Sequence, residues 1–356
     1  MRRFFPILIL FSLLDCGSDE GQPEDVQDSN LYFPSVTGTW EAKDPSSIGW
    51  NITAEAQLKD YLESTNTHAF ILLHKGKIVF EYYFNGKHQT SIGPWNSAGK
   101  TLTAFLTGLA KEQGFLDLTD VSNNYLGTGW SNLTIAQENN IQNWHHLTMT
   151  TGLNDGVNDP YCTDPNCLEY LADAGTRWAY HNAPYTLIEE IVEASTGVSY
   201  NEFTRNQVLD QTGMNGQWVS IGFNNVFFSN ARDMARFGLL LLNQGDWNGN
   251  EILIDKDYFN AMTNTSQAHN PAYGYLTWLN GKNQFKIPGS QFNFQGSIAP
   301  DAPDDMFAAI GKNAQLINVV PSKDLVMIRM GGSPDDLPVP LNYQNQIWTK
   351  LNAIIK

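Results

Sequence analysis

The pattern that most constrains this fold is a set of helical segments in the middle of the chain, framed by β-rich runs on both sides. The β-rich runs combine branched and aromatic residues and are separated by turn residues; they cover 70–73, 78–83, 273–279, 306–310, 315–320 and 325–330. The helical segments repeat apolar residues three and four positions apart, and they cover 101–113, 185–195, 230–243 and 346–355. Because successive short strands favour antiparallel pairing, we expect one antiparallel sheet with a helical region inserted into it.

This order of elements predicts an α+β fold, not alternating β-α-β units. No Pro/Gly/Ser linker and no repeat divides the chain after residue 35, so we expect one domain over 36–356 with an all-helical subdomain within 115–265. The 10 Trp, 14 Tyr and 19 Phe residues can supply a large core, which excludes a disordered chain. The formal net charge is −16 and no basic cluster is present, so nucleic acid is not an expected partner.

Residues 1–15 have the pattern of an export signal. Two arginines follow Met1, and an apolar run extends from Phe4 to Leu14. This run is too short to cross a bilayer, for which about 20 residues are needed. Removal of the segment during export would place the rest of the protein outside the cytoplasm.

The segment that follows, 16–35, is predicted to be an acidic and flexible tether, because residues 17–30 carry five acidic side chains and no basic one. Together with the apolar run it resembles a bacterial lipoprotein signal, in which Cys16 becomes the lipid-bearing first residue. Asp15 departs from this pattern, because a small residue is usual there. The resemblance implies a lipoprotein anchored to a membrane surface and facing the periplasm or the cell surface. The alternative is an ordinary cleaved signal with an incidental cysteine.

The other two cysteines, Cys162 and Cys167, are separated by a Thr-Asp-Pro-Asn turn sequence. An exported protein works where disulfides persist, so a local disulfide is the preferred prediction. A zinc site would need two more ligands that no nearby His or Cys supplies, and neither a metal nor a cofactor is expected. The alternative is a pair of reduced thiols in a loop.

Ser97 and Lys100 stand three residues apart at the start of the first strong helix. Residues with this spacing share one helical face, so the amine can reach the hydroxyl and activate it as a nucleophile. The alternative is a serine at a helix start beside a solvated lysine. A second candidate is the Tyr180-His-Asn182 triplet, which directly precedes another periodic helix, whereas three further Tyr-x-Asn triplets lack this context.

In their order and spacing, these motifs resemble the serine β-lactamase and penicillin-binding protein superfamily, nearest to class C β-lactamases, carboxylesterases and 6-aminohexanoate-dimer hydrolases. The matching stretches cover 95–101, 146–153, 175–182, 229–238, 273–278 and 311–315. Each stretch is weak alone, but together they are specific. The resemblance implies an antiparallel sheet flanked by helices, with the active site between the sheet and an all-helical subdomain.

By position in these motifs, the resemblance implies that Ser97 is the acyl-forming nucleophile and Lys100 its base. Tyr180 would shuttle the proton, and Asn182 would hold the substrate and Lys100. It implies further that Ser97 supplies one backbone N–H of the oxyanion hole and Gln315 the other.

The third family motif is usually Lys or His, then Thr or Ser, then Gly, and it is expected at Lys312-Asn313-Ala314. Lys312 keeps the lysine of this motif, and the resemblance implies that it makes electrostatic contact with the substrate. Asn313 would alter the polar contact to a substrate carboxylate, and Ala314 would narrow the approach. These departures disfavour penicillin-type substrates.

The sequence thus predicts a serine hydrolase acting on a small ester or amide through an acyl-enzyme. Two alternatives on the same fold stay open. One is a penicillin-interactive D,D-peptidase or β-lactamase, and the other is an inactive surface binding protein.

Overall fold

The computed structural model describes residues 31–36, 38–334 and 339–355. The predicted signal at 1–15 and the predicted lipid site at Cys16 lie outside this range. The strands are β1 (Thr67–His74), β2 (Lys77–Tyr83), β3 (Gly93–Pro94), β4 (Gln217–Ile221), β5 (Asn224–Ser229), β6 (Asp246–Trp247), β7 (Asn250–Glu251), β8 (Trp278–Leu279), β9 (Gln284–Phe285), β10 (Phe294–Gln295), β11 (Phe307–Gly311), β12 (Gln315–Val320) and β13 (Leu325–Gly331).

The helices are α1 (Glu55–Ser64), α2 (Gly99–Glu112), α3 (Asn123–Leu126), α4 (Ile135–Glu138), α5 (Asn143–Leu147), α6 (Asn182–Thr196), α7 (Tyr200–Thr204), α8 (Asp210–Thr212), α9 (Ala231–Leu242), α10 (Lys256–Met262) and α11 (Leu341–Asn352). A π-helical turn at Arg205–Leu209 joins α7 to α8. None of the helices in the described part of the chain has both the length and the apolar character that crossing a membrane requires.

The central sheet has the strand order β2-β1-β13-β12-β11-β8, and each neighbouring pair is antiparallel. Every residue of β12 and β13 is buried, because helices cover both faces of the sheet. Helix α9 packs directly on these two strands. Its Gly238 allows the close approach, since a Cβ there would lie 2.5 Å from Val326 Cγ1.

The chain between β2 and β8 carries most of the helices, as the sequence predicts. It differs from the predicted all-helical insertion because it also holds β4 and β5, which pair with β3 in a second antiparallel sheet. Helix α2 runs between this inserted region and the central sheet, and its residues 99–110 are all buried. The N-terminus of α2 therefore lies where the two regions meet.

Residues 31–35 belong to the folded domain, although the sequence assigns them to the tether. The Tyr32 N–H donates to the Lys75 carbonyl over 3.0 Å. The buried Arg236 guanidinium donates to the carbonyls of Pro34 and Ser35 over 3.2 and 2.8 Å. These backbone contacts fix the segment against α9 and the sheet.

Candidate active site

Ser97 lies in a single 3-10 turn, Asn96–Ala98, that leads directly into α2. The preceding residue, Trp95, anchors this turn: its side chain is fully buried and its indole N–H donates to Ser229 Oγ over 2.7 Å. The Trp95 backbone N–H also donates to the Phe227 carbonyl on β5. The hydroxyl of Ser97 is thus held at the start of a buried helix, and the residue remains partly exposed to solvent.

Lys100 lies one helical turn further on and is 3% exposed. Its Nζ is 3.1 Å from Ser97 Oγ and 2.9 Å from Asn182 Oδ1. Burial lowers the pKa of Lys100 to about 7, and the nearby Glu189 carboxylate partly opposes that shift. About half of the Lys100 amines are therefore neutral at pH 7, compared with about one in 2,500 for a free lysine.

Tyr180 and Asn182 approach the same point from the segment that enters α6. Tyr180 and Ser97 line the same cleft, and Ser97 acts to lower the pKa of the Tyr180 hydroxyl. Burial raises the pKa of Tyr180 well above its ordinary value, and this effect exceeds the opposing effect of Ser97. The phenol is therefore protonated at neutral pH. Asn182 is the first residue of α6, which directs its side chain amide to Lys100.

The third predicted segment meets Ser97 at Gly311, three residues before the expected position of the motif glycine. A Cβ on Gly311 would lie 2.3 Å from the Trp95 carbonyl oxygen and 3.0 Å from the Ala98 nitrogen. Only glycine permits this approach of β11 to the turn that carries Ser97. The Asn96 side chain amide then donates to the Lys312 carbonyl over 2.9 Å and ties the two segments together.

Lys312, Asn313 and Ala314 form the tight turn between β11 and β12. Asn313 and Ala314 have φ of 62° and 55°, an uncommon conformation for residues other than glycine. The fully buried Arg329 holds this conformation, because its Nη1 donates to the carbonyls of both residues. Lys312 is exposed, Asn313 is partly exposed, and both line the cleft.

The structure does not bring Gln315 to the cleft. Gln315 begins β12, which pairs on both sides, and it lies opposite Gly311 within the sheet. Its side chain is 2% exposed and exchanges two hydrogen bonds with the backbone of Gly331. Gln315, the expected oxyanion donor, therefore pairs within the sheet and is not among the residues that line the cleft.

The end of β11 and the turn after it present other backbone groups to the cleft, at Ile310, Gly311 and Lys312. The Met306 carbonyl accepts from the Asn280 N–H, so it points toward β8. Backbone groups point to alternate edges along a strand, so those of Ala308 and Ile310 share this direction, and Lys312 follows directly after the strand in the turn. Because β8 pairs only with 307 and 308 among the described residues, the edge opens to the cleft at Lys312.

Ser97, Tyr180 and Asn182 open into one cleft of about 560 Å³. Its other lining residues are Asp155, Pro160, Tyr161, Trp278, Pro288, Gly289, Ile310, Gly311, Lys312, Asn313, Ser333, Val339 and Pro340. The Trp278 ring stacks on Tyr180 at 6.0 Å between centroids. The wall thus combines aromatic and apolar side chains with polar ones, and Asp155 is paired with Arg177 at 2.7 Å.

A disulfide joins Cys162 and Cys167, as predicted. It closes a short loop directly after Pro160 and Tyr161, which line the cleft. In the described ranges 31–36, 38–334 and 339–355, no group of three or more His, Cys, Asp or Glu side chains is placed to hold a metal ion.

Three site features have no clear mark in the sequence. Gly311 and Ile310 lie in or beside a β-rich run that reads as core, and Arg329 is the last residue but one of another such run. A glycine followed by Lys-Asn-Ala-Gln is a turn signal that could have placed the hairpin at Lys312. The hydrogen bonds from Arg329 to the turn at 312–314 depend on a contact between strands, and the periodicity of the sequence does not reveal that contact.

Comparison with known proteins agrees with this architecture. The family model described as Beta-lactamase matches residues 55–330. A protein from Bacillus anthracis named as a 6-aminohexanoate-dimer hydrolase superposes with a TM-score of 0.67 at 18% identity, over 92% of this chain and 91% of that chain. A penicillin-binding protein homologue from Caulobacter crescentus gives 0.66 at 12% identity, over 88% and 99%.

A β-lactamase from Mycobacterium bovis gives a TM-score of 0.61 at 16% identity, over 84% of this chain and 98% of that chain. No curated protein sequence matches this chain. The matched family covers most of the chain, so the protein belongs to the Beta-lactamase family of the serine β-lactamase and penicillin-binding protein superfamily. The family and its hydrolase-like neighbours support a serine hydrolase in general.

Proposed function

We propose that Ser97 is the nucleophile of a serine hydrolase that forms an acyl-enzyme with a small ester or amide. One observation carries this proposal: a buried lysine amine, partly neutral at pH 7, lies 3.1 Å from the Ser97 hydroxyl. A base within hydrogen-bond reach of a hydroxyl is the arrangement that activates a weak nucleophile. The name of the Bacillus anthracis neighbour favours a small substrate of this kind.

In the first step, neutral Lys100 takes the proton from Ser97 Oγ as that oxygen attacks the substrate carbonyl carbon. The carbonyl oxygen becomes an oxyanion, and collapse of the tetrahedral intermediate breaks the bond to the leaving group. Tyr180 is protonated and lies near Lys100, so it gives its proton to the departing oxygen or nitrogen and receives the proton that Lys100 took from Ser97. Water then attacks the acyl carbon and gives a proton to the same pair. Collapse of the second tetrahedral intermediate breaks the bond to Ser97 Oγ, and the pair returns the proton to this oxygen as the acid leaves.

We propose that two backbone N–H groups bind the oxyanion, one from Ser97 and one from Lys312, the residue directly after β11. Support comes from the close approach of Gly311 to the turn of Ser97 and from the cleft-facing edge at Lys312. A single donor of this kind contributes about 2.7–4 kcal/mol in measured cases. This proposal replaces Gln315 as the second donor.

The substrate class follows from the wall beside Gly311. If Gly311 is the glycine of the third family motif, the two preceding positions are Ala309 and Ile310. Both are buried and apolar, so neither the cation nor the hydroxyl of the usual motif faces a substrate carboxylate at these positions. We propose substrates with an uncharged, apolar acyl group, which contacts Ile310 and Trp278.

The test is hydrolysis of a chromogenic short-chain ester together with labelling by a fluorophosphonate probe. Ser97→Ala is expected to abolish both, whereas Ser220→Ala, at an exposed serine on β4, is the matched control and keeps both. Labelling that persists in Ser97→Ala at the wild-type rate would contradict the assignment. A fluorescent penicillin distinguishes the proposed hydrolase from the D,D-peptidase or β-lactamase alternative. We expect no acylation of Ser97, and stoichiometric acylation would favour that alternative.

We also propose export and lipid anchoring through Cys16. The sequence pattern supports this, and the disulfide between Cys162 and Cys167 is compatible with an oxidising compartment. Detergent phase partitioning of the expressed full chain tests it. The wild type is expected in the detergent phase and Cys16→Ser in the aqueous phase; equal partitioning of the two would overturn the proposal.

A further inference from the structure

Arg329, on β13, carries a buried charge that no carboxylate balances within the part of the chain that the structure describes. Its side chain is fully buried, and its guanidinium carbon lies 5.1 Å from the centroid of the Tyr343 ring. A guanidinium stays protonated in proteins, so the positive charge persists inside the fold. Because a buried charge without a counter-ion costs folding free energy, apolar packing does not account for an arginine at this position.

The guanidinium of Arg329 donates hydrogen bonds to three separate stretches of the chain. Its Nη1 donates to two carbonyls of the turn at 312–314 and, over 3.0 Å, to the carbonyl of Gly332. Its Nη2 donates to the Thr65 carbonyl over 2.9 Å, and its Nε donates to Thr67 Oγ1 over 3.2 Å. The planar group with its fixed fork of donors therefore ties the turn at 312–314 to the ends of β1 and β13.

The turn at 312–314 needs such support, because its backbone is unfavourable for the residues it contains. The two residues that follow Lys312 have φ of 62° and 55°, and the second of them is Ala314. On the other side of the turn, the Asn96 side chain amide donates to the Lys312 carbonyl over 2.9 Å. Lys312 is therefore held from the side of Ser97 by Asn96, and the two residues after it are held from inside the sheet by Arg329.

We propose that Arg329 is a positioning residue for acylation, because it fixes the turn that presents the Lys312 N–H to the oxyanion. This inference rests on the proposed function of Ser97 and on the proposed oxyanion donor. Arg329 is not among the residues that line the cleft, so it acts through the turn. A donor that shifts away from the oxyanion weakens binding of the transition state, whereas binding of the substrate before reaction changes little.

A second buried arginine provides a matched control. Arg236, on α9, is 7% exposed, and its guanidinium donates to the carbonyls of Pro34, Ser35 and Thr212. None of these three residues is among those that line the cleft. Both arginines thus hold backbone segments in place, but only the segment held by Arg329 belongs to the proposed oxyanion site.

The experiment compares wild type, Arg329→Gln and Arg236→Gln in the hydrolysis of a short-chain p-nitrophenyl ester. Glutamine is chosen because its neutral amide has fewer donors and adds no buried charge. In Arg329→Gln we expect kcat and kcat/KM to fall about 10–100-fold, the range for a misplaced catalytic group, and KM to stay within about threefold. In Arg236→Gln we expect a lower melting temperature but kcat/KM within about threefold of wild type.

Affinity for a small alkylboronic acid gives a readout that a merely structural role would not change. Boronic acids form a tetrahedral adduct with a nucleophilic serine, so their binding reports on the oxyanion donors. In Arg329→Gln we expect this affinity to fall by about the same factor as kcat/KM. In Arg236→Gln it should stay at the wild-type value. Unchanged kcat/KM in folded Arg329→Gln, or equal losses in the two arginine variants, would overturn the inference.

Rescue by glycine tests whether Arg329 acts through the turn. Glycine adopts positive φ without support, so Asn313→Gly and Ala314→Gly together should recover at least about threefold of the kcat lost in Arg329→Gln. A loss that glycine does not restore would contradict a role through the turn. If Arg329→Gln does not fold, Thr67→Val decides, because valine keeps the shape of threonine but cannot accept from the Arg329 Nε. We expect a smaller fall in kcat/KM there, and an unchanged value counts against the inference.

Failure of the proposed function has a different signature. Wild type that is not labelled by the fluorophosphonate at Ser97 would contradict the proposed function itself. Labelling of wild type at Ser97, with equal kcat/KM in wild type and Arg329→Gln, would contradict only the role of Arg329.

Discussion

Replacing Lys100 by arginine keeps a positive charge near Ser97 but removes the neutral amine. Arginine is protonated at all pH values at which the protein works, because its pKa lies above about 12. The proposed transfer of a proton from Ser97 then has no acceptor. Lys100→Arg therefore separates a base from a group that only provides positive charge.

The size of the effect follows from the burial of Lys100. A pKa of about 7 makes about half of the amines available at pH 7. Relative to an ordinary lysine with a pKa of about 10.4, burial has raised the free energy of the protonated form by about 5 kcal/mol. Loss of a positioned base typically lowers a rate by about 10²–10⁴-fold, and this is the expected loss of labelling rate in Lys100→Arg at pH 8.

The assay is the rate of fluorophosphonate labelling between pH 5 and pH 9. In wild type we expect an acid limb with its midpoint near pH 7, because protonation removes the base. Below that pH the rate should fall about tenfold per pH unit. A rate in Lys100→Arg within about threefold of wild type, or a wild-type profile without an acid limb, would refute the role of Lys100 as the base.

Three further predictions concern stability and geometry. The pKa of Lys100 is about 7 in the folded protein and about 10.4 in an unfolded chain, so between these pH values only the unfolded chain binds the proton. Burial of Lys100 therefore lowers the free energy of unfolding at pH 7. Lys100→Met removes this cost and should raise the free energy of unfolding by at least about 1 kcal/mol at pH 7, measured by thermal unfolding. This stabilisation should be smaller at about pH 9.5, and a Lys100→Met variant that is less stable than wild type at pH 7 would contradict the prediction. Gly311→Ala forces a Cβ toward the Trp95 carbonyl and should cost about 1–3 kcal/mol and at least about tenfold in labelling rate; an unchanged rate argues against this contact. Replacing Cys162 and Cys167 by serine should lower the free energy of unfolding in urea by about 2 kcal/mol; an unchanged midpoint contradicts that.

Much of the fold is predictable because amphipathic periodicity reports burial directly. The segments predicted at 185–195 and 230–243 lie within or close to α6 and α9, and the run 315–320 is β12. The sequence also predicts a strand over 273–279, but only Trp278–Leu279 pairs in the sheet. Leu276 has φ of 49°, which interrupts the extended backbone, and its carbonyl accepts from Thr101 on α2. Such a tertiary contact has no local signal.

The candidate site is predictable where its geometry is local. Ser97 and Lys100 share a helical face because of their spacing, and the structure brings them within hydrogen-bond reach. The second oxyanion donor is not predictable, because the position of the turn at Lys312 decides which residues face the cleft. Glu189 reads as an ordinary helical residue, since its burial depends on partners from other elements.

The most direct test of the central claim is the mass of the covalent intermediate. The protein is mixed with a short-chain p-nitrophenyl ester, quenched in acid within the first turnover and examined as intact protein and as peptides. We predict one added acyl group, located on the peptide that contains Ser97, and none in Ser97→Ala. An acyl group on another residue, or an equal adduct in Ser97→Ala, would contradict it.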